Sequence, residues 1–124
     1  MLPHYRILSV EDDDDTAAMI SGLLGLINCE VVVASSFAEA VDKITTEQFD
    51  LHLLDNWLPG GSGTELCRKI REIDQTTPIV LYTGAAYDSD RQEALEAGAQ
   101  AYLVKPADID KLVETVKRLL AQRE

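Results

Sequence analysis

The sequence predicts an α/β domain built on a doubly wound, open parallel sheet of five strands with helices on both faces. Short apolar runs alternate with stretches of helical period along the whole 124 residues, the pattern of repeated strand–helix units. The strand candidates YRILSV (5–10), EVVVA (30–34), DLHLL (50–54), PIVLY (78–82) and AYLV (101–104) are nearly continuous apolar runs, as in strands buried on both faces. Five units joined by right-handed crossovers are too few for an eight-stranded barrel, so an open sheet remains.

The helices follow in order. The first, about 14–27, places Met19, Ile20, Leu23, Leu24 and Ile27 on one stripe, while Gly22 and Gly25 weaken it. The second opens with the capping box Ser36-x-x-Glu39 and presents Phe37, Ala40, Val41 and Ile44. The third, about 63–73, aligns Leu66, Ile70 and Ile73. A second capping box, Ser89-x-x-Gln92, is expected to open the fourth, and Gly98 to close it with a left-handed cap. The fifth, about 108–122, buries Ile109, Leu112, Val113, Val116 and Leu120. No linker, repeat or low-complexity segment interrupts the series, which predicts one domain over residues 1–124.

Composition narrows the function. The formal charge is −11, with 22 acidic against 11 basic residues. Such a charge repels polyphosphates and no basic stripe interrupts it, so direct nucleic-acid binding is not expected; a basic partner or a metal cation is. Cys29 and Cys67 lack zinc spacing and read as buried free thiols. There is no apolar run of membrane-spanning length and no signal-peptide pattern at the start, so a cytoplasmic protein without membrane attachment is predicted.

In an open parallel sheet, ligands bind beyond the carboxyl ends of the strands. There the sequence places Glu11 and Asp12 after the first strand, Asp55 after the third, Thr83 and Gly84 after the fourth, and Lys105-Pro106 after the fifth. If the first and third strands are neighbours, their carboxylates face each other across the crevice and require a cation between them. Hard oxygen ligands favour Mg²⁺. With Lys105 as a point charge and Thr83 as a hydroxyl donor, the set suits a phosphoryl group: cations for its charge, donors for its oxygens and a carboxylate nucleophile.

On these residues the chain resembles the receiver domain of bacterial two-component response regulators, over essentially its whole length. The stretch DLHLLDNWLPGGSG carries the Asp-x-x-Leu-Pro-Gly pattern, Thr83 stands at the fourth strand end, Lys105-Pro106 at the fifth, and Tyr102 lies three positions before the lysine. The resemblance implies a flavodoxin-like strand order 2-1-3-4-5. It implies Mg²⁺ on Glu11, Asp12, Asp55 and the backbone carbonyl of Trp57, and Asp55 as the phosphoacceptor assisted by Thr83 and Lys105. It also implies a cis Lys105–Pro106 peptide and a switch in which Thr83 moves toward the phosphoryl group and Tyr102 turns inward, altering the surface of helix four, strand five and helix five. The implied donor is a sensor histidine kinase or a histidine phosphotransfer protein. A phosphorylation-dependent homodimer, an output domain or other target, and membership of a hybrid kinase stay open. In this reading the domain assists its own phosphorylation and dephosphorylation and is not an enzyme with a separate substrate.

Two other classes compete. A haloacid-dehalogenase-type phosphatase would use Asp13-x-Asp15, but those residues fall on the first helical turn. A flavodoxin-like electron carrier would need a hydroxyl-rich loop after the first strand, where five consecutive acids would repel a flavin phosphate. Asp14 and Asp15 read as a solvated helix start. His52 reads as a core histidine bonded to backbone, and His4 as a surface residue. Gly60, Gly61 and Gly63 lack a nucleotide-loop spacing.

Overall fold

The computed structural model describes residues 4–85 and 87–123. Five strands, β1 (Tyr5–Val10), β2 (Cys29–Ala34), β3 (Leu51–Leu54), β4 (Ile79–Thr83) and β5 (Ala101–Val104), alternate with α1 (Asp14–Gly25), α2 (Phe37–Thr46), α3 (Gly63–Ile73), α4 (Asp88–Glu96) and α5 (Ile109–Arg123). All sheet pairings are parallel and the order is β2-β1-β3-β4-β5. This is the (βα)5 arrangement that the apolar runs predict.

Strand alternation divides the core. Ile7, Leu51, Leu53, Val80 and Tyr82 face Ile20 and Leu24 of α1 and Leu112, Val116 and Leu120 of α5. Leu8, Val10, Leu54, Ile79 and Leu81 face Ala40 of α2, Leu66 and Ile70 of α3, and Ala94 of α4. Each fully buried Leu or Ile contributes about 1.5–3 kcal/mol relative to exposure, so β1 and β3, apolar on both faces, belong at the centre. Their ends are level, with Val10 opposite Leu54, and the Asp55 N–H donates to the Val10 carbonyl at 2.9 Å.

Several local expectations change. On α1 the buried stripe is Ala17, Ile20 and Leu24, at i, i+3 and i+7, while Met19 falls off that stripe and is exposed. On α3, Cys67 joins Leu66 and Ile70, whereas Ile73 is exposed. Its phase is that of Leu66, but it ends a helix that runs past the sheet, over an open cleft lined by Ile44, Phe49 and His52. Ser89 caps nothing: Tyr87 is the N-cap, with no side-chain bond, and Ser89 lies inside α4. Gly98 does close α4, at φ +116°, its N–H donating to Leu95 and that of Ala99 to Ala94. Between β3 and α3 the chain forms an unexpected two-residue hairpin, Trp57–Leu58 against Gly61–Ser62.

Candidate functional site

The crevice lies where β1, β3, β4 and β5 end. Glu11 and Asp55 leave the adjacent ends of β1 and β3; both are buried, and Asp12 is exposed beside them. One oxygen from each of these three carboxylates lies within 4.8 Å of the others. Lys105, following β5, crosses to them: its Nζ donates to Glu11 Oε1 at 2.5 Å and to Asp55 Oδ2 at 3.1 Å. Three carboxylates therefore share one ammonium, which leaves negative charge uncompensated at the crevice. The remaining Asp55 oxygen, Oδ1, accepts the Trp57 N–H at 3.3 Å.

The electrostatics follow from burial and pairing. Desolvation pushes the Glu11 carboxyl above the usual range, against the hydrogen bonds from Lys105 and the Asp13 amide. Burial also works against the Lys105 ammonium, but the hydrogen bond to Glu11 and the charge of Asp55 outweigh it and hold its pKa above the ordinary lysine value. Lys105 is thus a fixed cation. The donor set consists of hard oxygens, fits a small divalent cation, and suits Mg²⁺ by its chemistry.

Thr83 is fully buried at the end of β4, and its hydroxyl accepts the Ala85 N–H at 3.4 Å. Tyr102 of β5 is 5% exposed, with its hydroxyl donating to the Ala85 carbonyl at 2.5 Å. The ring is therefore buried in this structure. Burial pushes its hydroxyl up to about 12, so it stays a donor. The Lys105–Pro106 peptide is cis, and the Asp108 carboxylate accepts the Val104 N–H at 2.9 Å, bracing the turn that carries Lys105. Trp57 is 65% exposed beside the crevice. Asp13, Asp14 and Asp15 begin α1 beyond the strand end, Asp13 as its cap, so the Asp13-x-Asp15 alternative has no nucleophile in the crevice.

Two residues support Asp55 in a way the sequence did not indicate. Buried Asn56 accepts the Thr64 N–H and hydroxyl through Oδ1, both at 3.0 Å, and so fastens the segment after Asp55 to the start of α3. Gly63 approaches so closely that a Cβ there would lie 2.2 Å from the Asp55 carbonyl oxygen. Only the Gly-rich composition of the turn hinted at it. His52 is buried as expected, but its Nδ1 has no hydrogen-bond partner among the described residues, so the expected bond to backbone is not made through that atom.

A doubly wound sheet with an acid cluster, a hydroxyl and a lysine at one crest defines a phosphoryl-handling signalling domain, and comparison with known proteins agrees. Residues 7–117 match the family of the response regulator receiver domain, and the chain belongs to it. It is 36% identical over 118 residues to the response regulator ArlR of Staphylococcus saprophyticus, an alignment that covers 95% of this chain and 53% of that protein. The chain thus spans about half the length of the curated relatives it matches. Among solved structures, a CheY-like receiver domain protein from Methanospirillum hungatei superimposes with a TM-score of 0.91 at 33% identity, over 98% of this chain and 97% of the other. The response regulator TrrA of Thermotoga maritima, solved in complex with Mg²⁺ and a beryllium fluoride, gives 0.83 at 34% identity, over 93% and 98% of the two chains. No helix among the described residues is long and apolar enough to cross a membrane.

Proposed function

We propose that Asp55 is the phosphoacceptor of this receiver domain and that Glu11, Asp12, Asp55 and the Trp57 carbonyl hold the Mg²⁺ it uses. The observation that carries this reading is the position of Asp55, with one oxygen on the Lys105 ammonium and its carboxylate within 4.8 Å of two further acids. An Asp55 oxygen attacks phosphorus, the bond from phosphorus to the donor's imidazole nitrogen breaks, and that nitrogen keeps the electron pair and takes up a proton from solvent. Lys105 and the Thr83 hydroxyl bind phosphoryl oxygens. Mg²⁺, when bound, neutralises the converging carboxylates and the incoming phosphoryl charge.

The donor is a phosphohistidine on a sensor histidine kinase or a histidine phosphotransfer protein in the cytoplasm. The acyl phosphate then acts through Thr83 and Tyr102 on the surface of α4, β5 and α5, which engages an output domain, a target or a second copy. A small acyl phosphate should label the protein in Mg²⁺, and Asp12→Ala or EDTA should abolish labelling. Labelling at the wild-type rate in either condition refutes the metal assignment.

A further inference from the structure

A cleft of about 350 Å³ opens at the N-terminal ends of β3 and β4, at the opposite end of the sheet from the acidic crevice. Its apolar wall is made by Ile44 of α2, by Phe49, and by Ile70 and Ile73 of α3, with Ile73 60% exposed at the rim. Set into that wall is His52 of β3, only 4% exposed. Its ring meets Phe49 edge-on, with centroids 5.8 Å apart and planes at 65°. Its Nδ1 has no hydrogen-bond partner among the described residues, and a buried polar atom left so destabilises the fold until a partner reaches it. Burial lowers its pKa to about 4, so the imidazole is uncharged at neutral pH.

The charged groups around the cleft already have partners. Glu47 pairs with Arg6 at 2.8 Å and with Lys43 at 3.3 Å. The Asp74 carboxylate accepts the N–H of Thr76 at 3.0 Å, that of Thr77 at 3.1 Å, and the Thr77 hydroxyl. Arg123 Nη1 donates to the carbonyls of Asp50 at 2.8 Å and Phe49 at 3.4 Å. A charged ligand would lose its hydration here and meet no unpaired counter-charge. An uncharged one fits better. Its polar group has to suit a neutral imidazole nitrogen, which donates or accepts according to tautomer, and a hydroxyl does both. Its body has to suit an apolar wall that includes two rings, against which an aromatic ring packs edge-to-face or offset. A cavity of about 150 Å³ takes one benzene ring, so this cleft has room for a phenol of one or two rings.

We propose that this cleft binds a small uncharged phenol, its ring against Ile44, Phe49, Ile70 and Ile73 and its hydroxyl on the His52 imidazole. Arg123 closes one side from the end of α5 through its bonds to the Phe49 and Asp50 carbonyls, so the site is assembled from α2, β3, α3 and α5 only in the folded domain. It shares no residue with the crevice and does not draw on the phosphoacceptor reading.

NMR titration of the wild-type protein at neutral pH with p-cresol, toluene and p-toluate, which share one apolar body, tests it. p-Cresol should give saturable shifts at Phe49, His52 and Ile70, with none at Glu11 or Asp55. Toluene, which lacks the hydroxyl, should bind at least about fivefold more weakly, and the anion p-toluate should not saturate. His52→Leu should bind p-cresol and toluene alike. Ile73→Asp, at an exposed position that the fold tolerates, should weaken both, and it decides the matter with the toluene comparison if His52→Leu does not fold. Absence of saturation, shifts confined to other surfaces, toluene or p-toluate binding as tightly as p-cresol, wild-type affinity in Ile73→Asp, or a preference for p-cresol that survives in His52→Leu would each overturn the assignment.

Discussion

Replacing Lys105 with Met removes the one cation that, among the described residues, pairs with the acids of the crevice. Its ammonium lies 2.5 Å from Glu11 and 3.1 Å from Asp55. At an effective dielectric of about 20 these separations correspond to attractions of about 7 and about 5 kcal/mol. Burying the charges costs several kcal/mol per ion and takes most of that back, yet deleting one partner of a buried pair still costs about 3–5 kcal/mol. The lysine side chain keeps 21% of its exposure, so the low end applies, and the variant should lose about 3 kcal/mol in EDTA. Mg²⁺ should then stabilise the variant more than the wild type. At tenfold excess over its dissociation constant, any ligand of the folded state adds about 1.4 kcal/mol, and an ion that also takes over the ammonium's role adds more. Urea unfolding followed by circular dichroism, in EDTA and in Mg²⁺, measures both effects. A loss below about 1 kcal/mol in EDTA, or an equal Mg²⁺ increment in the two proteins, would show that the acids do not act as one cation site.

Three further outcomes are expected. Trp57→Asn should shorten the phosphorylated lifetime several-fold, because an indole 65% exposed at the rim obstructs the in-line water; tenfold corresponds to only about 1.4 kcal/mol of barrier, and an unchanged lifetime in a dephosphorylation time course refutes the shielding. Gly63→Ala drives a Cβ to within 2.2 Å of the Asp55 carbonyl oxygen, so it should cost about 2 kcal/mol or more in urea melts and slow Asp55 labelling, and wild-type values of both would refute the contact. Burial lowers the His52 pKa from 6.5 to about 4, so between those values the unfolded chain binds a proton that the folded domain does not. Stability should therefore fall as pH drops through that window, by up to about 3 kcal/mol, and His52→Leu should flatten the profile; an equal slope in the variant refutes the assignment.

The sequence was most legible where apolar period and chain direction agree. β1, β3 and β4 are apolar on both faces, so their central place and the convergence of Glu11, Asp55, Thr83 and Lys105 at one crest follow from strand length and register. It was least legible where a side chain's role depends on which helical turn it lands in. Ser89-x-x-Gln92 has a capping spacing, but α4 starts at Asp88, and the acids of its first turn complement the helix dipole without a cap. Met19 and Ile20 are both apolar, and which of them meets the sheet is set by how α1 packs, with Ile20 in the core beside Leu24. The hairpin at Trp57–Ser62 is too short to leave a period, and the Gly63 contact with Asp55 is a tertiary approach that no local pattern records. Arg71 belongs to no motif in the sequence, and its five hydrogen bonds reach partners up to 29 residues away.

The central claim is that one carboxylate, Asp55, takes the phosphoryl group with the help of a cation held by its neighbours. Peptide mapping by mass spectrometry after incubation with a small acyl phosphate and Mg²⁺ tests it most directly. The account predicts a single phosphoryl group on Asp55, none in EDTA and none anywhere in Asp55→Asn. A stoichiometric phosphoryl group on any other residue of the wild-type protein, or labelling of Asp55 that proceeds unchanged in EDTA, would contradict it.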